Sequence, residues 1–155
     1  MAIRVAILAA CLGVPSTLAA GGDEDPRWWP GDGGPGWVSG TLGQTATHFA
    51  GVHTDDGRLG IYYLCDPGGR RELMLAGPDA TAGPWALLID GSASAHLFKR
   101  TPEGLVSDIP PGGAILVALR DGRALELLRP GGRLTGPVSL SGSGEALDEA
   151  LVGCG

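Results

Sequence analysis

The segment LGIYYLCDPGG (residues 59–69) decides the fold that we predict for this chain. It is an apolar, aromatic run of strand type that ends at a cysteine and continues directly into an Asp-Pro-Gly-Gly turn signal. Side chains alternate between the two faces of a strand, so Cys65 shares one face with Ile61 and Tyr63. We predict that this face points into the core, which gives a buried strand with a thiol at its end.

Short strand-like runs separated by turn signals continue along the chain. The run before this segment is joined to it by TDDG (residues 54–57), whose Asp-Gly pair predicts a hairpin, and Asp90-Gly91 predicts a second hairpin. The predicted strands cover residues 47–53, 58–65, 72–76, 84–90, 95–100, 124–128 and 137–140. With 28 Gly, 12 Pro and only 18% charged residues, the composition also favours many turns. We predict a mainly β protein, an antiparallel β-sandwich or barrel.

Two segments predict short helices. AILVALR (residues 114–120) follows a Pro-Pro-Gly-Gly turn and stops at Asp-Gly, which suits a helix with a glycine cap, although a strand is an alternative. The ending EALDEALVGCG (residues 145–155) predicts an amphipathic helix with Ser143 as its N-cap. The apolar stripe of this C-terminal helix consists of Ala146, Leu147, Ala150 and Leu151.

The first twenty residues predict an export signal. Arg4 supplies the positive charge, residues 5–14 form a short apolar run, and small residues near Ala19 offer a cleavage site. The alternative is a lipobox, Leu-Ala-Ala-Cys, which would anchor a lipoprotein through Cys11. The apolar run is shorter than the roughly 20 residues of a membrane-spanning helix. We therefore expect a periplasmic or secreted protein with no integral membrane segment.

The chain has three cysteines, and Cys11 is either removed with the leader or acylated. Cys65 and Cys154 remain in an oxidising compartment, where thiols pair. The loop between them is about 90 residues long, which the chain-entropy description equates with ~4–5 kcal/mol of stabilisation. We predict a disulfide between Cys65 and Cys154.

Residues 21–36, GGDEDPRWWPGDGGPG, have no periodicity and predict a flexible arm ahead of one β-rich domain at residues 37–155. The arm and the start of the domain carry three tryptophans, Trp28, Trp29 and Trp37. These could fold back to cap the sheet, or they could form an interaction patch, because aromatic side chains are common in cores and in interfaces.

The sequence offers little support for several function classes. Eleven basic residues against 17 acidic ones give a net charge of -6, which argues against a nucleic-acid partner. His48 and His53 are five positions apart and so point to opposite faces of one strand, which argues against a metal site. We therefore expect no enzyme activity, no metal and no cofactor.

Other polar residues in the chain suggest no catalytic or binding site. The residue types of a hydrolase triad occur together only across one turn, in Asp90, Ser92, Ser94 and His96. The basic residues beside predicted turns are expected to mark strand ends that face solvent. These residues are Arg70, Arg71, Lys99, Arg100, Arg129 and Arg133.

The C-terminal pattern Val-Ser-Leu-Ser-Gly (residues 138–142), followed by Ala146-Leu147 and a terminal Cys154, resembles the end of small exported Gram-negative proteins of the invasion-associated locus B type. The resemblance covers about the last twenty residues and the general strand layout. It implies a periplasmic or surface β-sandwich with no catalytic site, in a family linked to host interaction. The Trp-rich arm and the single cysteine pair differ from the family pattern.

A second resemblance uses the same cysteine. Tyr-Leu-Cys-Asp-Pro-Gly (residues 63–68), with Leu-Ile-Asp-Gly at residues 88–91, is similar to stretches of bacterial c-type lysozyme inhibitors, which are small exported barrels. The inhibitors' recognition loop has no counterpart in this sequence, so no inhibitory residue can be assigned.

From the sequence we expect an exported, non-enzymatic periplasmic or envelope protein that binds a protein or envelope partner. An inhibitor of a cell-wall-degrading enzyme, such as a c-type lysozyme, is the alternative. The sequence gives no prediction of the oligomeric state.

Overall fold

A computed structural model describes residues 36–43, 46–102, 104–129, 131–132 and 136–155. The predicted export signal at residues 1–20 and the arm up to residue 35 lie outside the described residues. The described part forms nine strands and two helices, which confirms the mainly β prediction. The elements are β1 Val38–Leu42, β2 Thr47–His53, β3 Gly60–Cys65, β4 Arg71–Ala76, β5 Gly83–Ile89, β6 Ser92–Thr101, β7 Gly104–Asp108, α1 Ala114–Asp121, β8 Ala124–Leu128, β9 Val138–Ser139 and α2 Ser143–Val152.

Local turn chemistry forms the predicted hairpin of β2 and β3 and joins β3 to β4. In the first turn the Thr54 hydroxyl donates to the Asp56 carboxylate at 2.6 Å, and Gly57 takes a φ of 67°, where glycine has no Cβ clash. In the second turn the Asp66 carboxylate accepts the backbone N–H of Arg70 at 3.1 Å. These short-range bonds place the two turns where the sequence predicts them.

The hairpin of β5 and β6 turns on two residues, Asp90 and Gly91. Both have positive φ values, 49° and 84°, as the two central residues of a type I′ turn require. The Asp90 carboxylate accepts the backbone N–H groups of Arg123 and Ala124 at 3.1–3.2 Å, which ties the turn to β8. The strand after the turn begins at Ser92, three residues earlier than predicted.

All neighbouring strands are antiparallel, in the order β1-β2-β3-β4-β7-β6-β5-β8-β9. The long strand β6 connects the two halves of the sheet. Its residues Ser92 to Phe98 pair with β5, and its last residues, Lys99 to Thr101, pair with β7. One strand therefore passes from one half to the other, and the sheet is not closed. The architecture is sandwich-like.

The two edge strands β1 and β9 do not pair with each other within the described residues. They are linked instead by a side chain, because the Trp37 indole Nε1 donates to the Ser139 carbonyl oxygen at 3.1 Å. Helix α2 packs on β1 and β2, and the Ser39 hydroxyl donates to the Glu149 carboxylate at 2.6 Å. Helix α2 thus covers the open side of the sheet.

The main core lies between the inner faces of the sheet and the two helices. Ile61, Tyr63 and Cys65 belong to it and are each at most 2% exposed, as the alternation in the sequence predicts. Trp85 and Phe98 contribute its largest side chains from the other half of the sheet.

The opposite face of β3 is buried as well. Tyr62 and Leu64 join Met74, Ala76 and Val106 in a second, smaller apolar cluster. A side chain at Gly51 would overlap the Tyr62 ring, so the glycine provides the space in which the ring lies. Strand β3 is therefore buried on both faces, and not on the Cys65 face alone.

Both predicted helices form, but the prediction that Ser143 is the N-cap of α2 is wrong. Gly142, with a φ of 87°, takes the cap position, and Ser143 is the first helical residue. The Ser143 hydroxyl is completely buried and lies 2.6 Å from the Leu119 carbonyl oxygen and 2.7 Å from that of Leu140. The hydroxyl supplies a hydrogen-bond donor for the Leu119 carbonyl oxygen, which lies in the last turn of α1.

Because α2 covers the open side of the sheet, truncating its buried side should destabilise the fold. Leu147 is 1% exposed, and we expect Leu147→Ala to lower the free energy of unfolding by about 2–5 kcal/mol. The matched control is Val152→Ala on the same helix, where the side chain is 89% exposed and the change should stay below about 0.5 kcal/mol. Urea unfolding followed by circular dichroism measures both. Equal effects would contradict the placement of α2.

Candidate functional site

The structure brings the two predicted half-cystines together. Cys65 is the last residue of β3, and Cys154 follows α2. Their Cα atoms are 5.7 Å apart and the two residues are placed as a disulfide pair, within the roughly 4.4–6.8 Å range of disulfides. A bonded sulfur is neither a nucleophile nor a metal ligand, so this arrangement favours a crosslink between sheet and helix.

On one side of this pair, His48 supports the end of α2. His48 lies directly opposite Cys65 in the pairing of β2 and β3. A side chain at Gly153 would overlap the His48 imidazole, so only glycine allows the chain to come this close. The His48 Nδ1 atom is 3.3 Å from the Thr41 hydroxyl, which orients the ring from β1.

On the other side, Arg71 lies opposite Cys65 in the pairing of β3 and β4. Its guanidinium donates to the Gly155 carbonyl oxygen at 3.1 Å, so it binds the chain just beyond Cys154. Its Nε atom is buried without a hydrogen-bond partner within the described residues, as is the Tyr63 hydroxyl. Burial raises the pKa of Tyr63, and the positive charge of Arg71 opposes that effect. Arg71 is thus the first residue of β4 and partly exposed, as expected for a strand end, and its guanidinium has in addition a bonding role that the sequence did not indicate.

A second pair of polar side chains lies on the other face of β3. The Tyr62 hydroxyl is hydrogen-bonded to Nε2 of His53, and the two rings meet edge to face with centroids 5.5 Å apart. Burial lowers the pKa of His53 and raises the pKa of Tyr62, so both groups are neutral near pH 7. The glycines at positions 51 and 60, inside predicted strands, were the sequence signal for this close packing.

The residue types of a catalytic triad do not converge in the way that the chemistry requires. Asp90 uses its carboxylate to bind backbone N–H groups of residues 123 and 124. Ser94 and His96 are neighbours on β6, with 3.1 Å between the hydroxyl and Nε2. Burial lowers the pKa of His96. The described residues contain no group of three or more His, Cys, Asp or Glu side chains that could hold a metal ion.

The predicted interaction patch is only partly described. Trp37 is half-buried, packs against the main core and bonds to β9, so in this structure it caps the sheet. Trp28, Trp29 and Cys11 lie outside the described residues.

Comparison with solved structures finds proteins of similar fold. The crystal structure of invasion associated protein B from Bartonella henselae matches with a TM-score of 0.50 and 20% sequence identity, over 75% of this chain and 92% of that chain. This chain has a similar fold. The finding supports the resemblance to proteins of the invasion-associated locus B type, while the resemblance to lysozyme inhibitors stays a prediction.

No protein-family model matches the sequence. A search of curated proteins gives no match either. Among the residues that the structure describes, none of the helices combines the length and the apolar character needed to cross a membrane.

The disulfide can be tested directly. Mass mapping of the exported protein without reductant should find Cys65 and Cys154 in one linked peptide pair. We expect Cys154→Ser to lower the free energy of unfolding by about 2–5 kcal/mol, because the unfolded chain loses its crosslink. Reductant should destabilise the native protein by a similar amount and leave the Cys65→Ser/Cys154→Ser double variant unchanged. Two alkylatable thiols in the exported protein would contradict the pairing.

The buried histidines predict how stability depends on pH. Burial lowers the pKa of His53 and His96 below the ordinary value of 6.5, so near pH 6 the unfolded chain binds more protons than the folded chain. Stability should therefore be highest above pH 6.5 and should fall as the pH drops below that value. The midpoint of urea unfolding, measured between about pH 5.5 and 7.5, checks this.

The double variant His53→Gln/His96→Gln should flatten this dependence, and each single variant should remove part of it. An unchanged slope in the double variant would show that other groups cause the loss of stability.

Proposed function

We propose that this protein is an exported, non-enzymatic envelope protein that acts by binding a partner. The observation that carries the proposal is the fold, which is similar to that of invasion associated protein B over most of both chains. That likeness concerns the fold alone, and we propose the exported location and the absence of catalysis in addition.

The cysteine pair supports export. Disulfides persist in oxidising compartments and are rare in the cytoplasm. The structure places Cys65 within bonding range of Cys154, and the sequence begins with a charged and then apolar leader pattern. Both observations agree with a periplasmic or secreted protein.

The positions of the reactive residue types support a non-enzymatic role. The two histidines of β2 point to opposite faces, where His48 packs on α2 and His53 binds Tyr62. Both cysteines of the domain lie within bonding range of each other, which supports their use in a crosslink. Each of these groups has a packing or bonding role that accounts for it.

The Trp28-Trp29 pair is the proposed contact patch. Trp37 is bonded to Ser139 at the open side of the sheet, so the arm leaves the domain there. The eight Cα–Cα steps from Trp29 to Trp37 span at most about 29 Å. A partner that binds the tryptophan pair would therefore be tethered within that distance of Trp37 and the strands beside it.

Export is tested by fractionating cells that express the full chain. We expect the protein in the periplasm or medium, with a mature N-terminus after the small residues near Ala19. The Cys11→Ser variant distinguishes the lipoprotein alternative, because it would release a membrane-anchored form and leave an ordinary secreted form unchanged. Full-length protein that stays in the cytoplasm would contradict the proposal.

Binding is tested with the mature protein immobilised and exposed to envelope extract. We expect a specific partner to be retained, and Trp28→Ala/Trp29→Ala to reduce its retention at least about tenfold, the effect of losing about 1.4 kcal/mol of binding energy. The matched control, Asp23→Ala/Asp25→Ala, changes the same arm without touching an aromatic residue and should retain the partner. If no form of the protein retains any partner, the proposed binding role is wrong.

A further inference from the structure

Strand β6 has one uncovered edge. Residues Ser92 to Phe98 pair with β5 on one side, whereas β7 covers the other side only from Lys99 to Thr101. Beyond Val106, β7 pairs with β4 alone, so it turns away into the other half of the sheet. Within the described residues, nothing pairs with the first part of β6 on that side.

The turn geometry shows which backbone groups are uncovered. Asp90 and Gly91 form a two-residue turn, so the flanking pair Ile89 and Ser92 exchanges hydrogen bonds. The backbone groups of Ser92, Ser94, His96 and Phe98 therefore bond to β5. The intervening residues Ala93, Ala95 and Leu97 direct their N–H and C=O groups to the free edge.

The side chains along this edge leave it accessible. Ala93 and Ala95 are small and exposed, and Leu97 is 54% exposed. Residues 92–98 contain no charged residue and no proline, although such residues are the common means by which proteins block an edge strand.

The charges at the two ends of the edge match in an antiparallel arrangement. Exposed Lys99 and Arg100 follow the uncharged stretch, and exposed Asp90 precedes it. Because the chain carries a net charge of -6, two copies repel each other over most of their surfaces. At this edge, an uncharged stretch meets an uncharged stretch, and each basic end comes level with the turn that carries Asp90, whose carboxylate is bonded to backbone N–H groups at β8.

From this arrangement we infer that the free edge of β6 pairs with the same edge of a second copy of this chain. Strand β7 blocks pairing from Lys99 onward, so the two-fold axis lies near Ser94. Ala93 then pairs with Ala95 of the second copy, and the reverse, which gives about four backbone hydrogen bonds. The two sheets become one continuous antiparallel sheet.

The interface is small. A pairing of two short strands buries less than the roughly 1,200–2,000 Å² of a standard stable interface. We therefore expect a reversible dimer with a dissociation constant between about 10 µM and 1 mM, which forms where the protein is concentrated.

Sedimentation velocity of the mature protein over this concentration range tests the inference. Wild type should change from monomer to dimer, and Ala95→Lys should weaken the association at least tenfold, because it places a positive charge on each strand beside the axis. The matched control, Val152→Lys, puts the same charge on another exposed apolar position and should dimerise like wild type. Far-ultraviolet circular dichroism shows whether each variant is folded.

Amide hydrogen exchange gives a second readout that does not depend on a variant. The amides of Ser94 and His96 bond to β5 and should be protected at every concentration. The amides of Ala93 and Ala95 should become protected only when the dimer forms. A protein that stays monomeric up to about 1 mM overturns the inference, as does a dimer that Ala95→Lys leaves intact. Capture of an extended peptide by a monomeric protein would likewise show a different occupant of this edge.

Discussion

The packing of α2 across the open side of the sheet is the interaction on which the other features depend. Strands β1 and β9 do not pair, so without α2 the inner faces of β1, β2 and β3 would face water on that side. Three kinds of contact fix the helix: the buried Ser143 hydroxyl at its start, the Leu147 and Ala150 side chains along its length, and Cys154 at its end. The last of these contacts places Cys154 within bonding range of Cys65 at the end of β3.

Much of this fold could be predicted because its hairpins depend on local chemistry. The β2–β3 turn and the Asp90-Gly91 turn carry their signals within two to four residues, and both hairpins form where the sequence places them. Strands β1 and β7 were not predicted. Each has only five residues and includes a glycine, and each is held by pairing with strands that a local pattern does not identify.

The same distinction between local and distant causes applies to the candidate site. The partner of Cys65 could be predicted by counting cysteines, because two cysteines in an exported chain can form only one intramolecular disulfide. The roles of Ser143 and Arg71 could not, because the Leu119 carbonyl and the Gly155 carbonyl that they bind are far away in sequence. The pairing of His53 with Tyr62 could not be predicted either, because the glycines at positions 51 and 60 signal close packing beside β3 without identifying which side chains meet there.

The edges of the sheet differ in whether other parts of the protein cover them. At the β1 and β9 edges, the Trp37 indole bridges the two strands and α2 packs on β1. Cys154, just after α2, is placed as a disulfide pair with Cys65 of the sheet. At the free part of β6 there is no helix among the described elements that packs on the strand, and the stretch lacks the charges and prolines that usually protect such an edge. The open edge of β6 is therefore suited to strand pairing, and its uncharged middle lets a second copy of the same strand approach although the chain carries a net charge of -6.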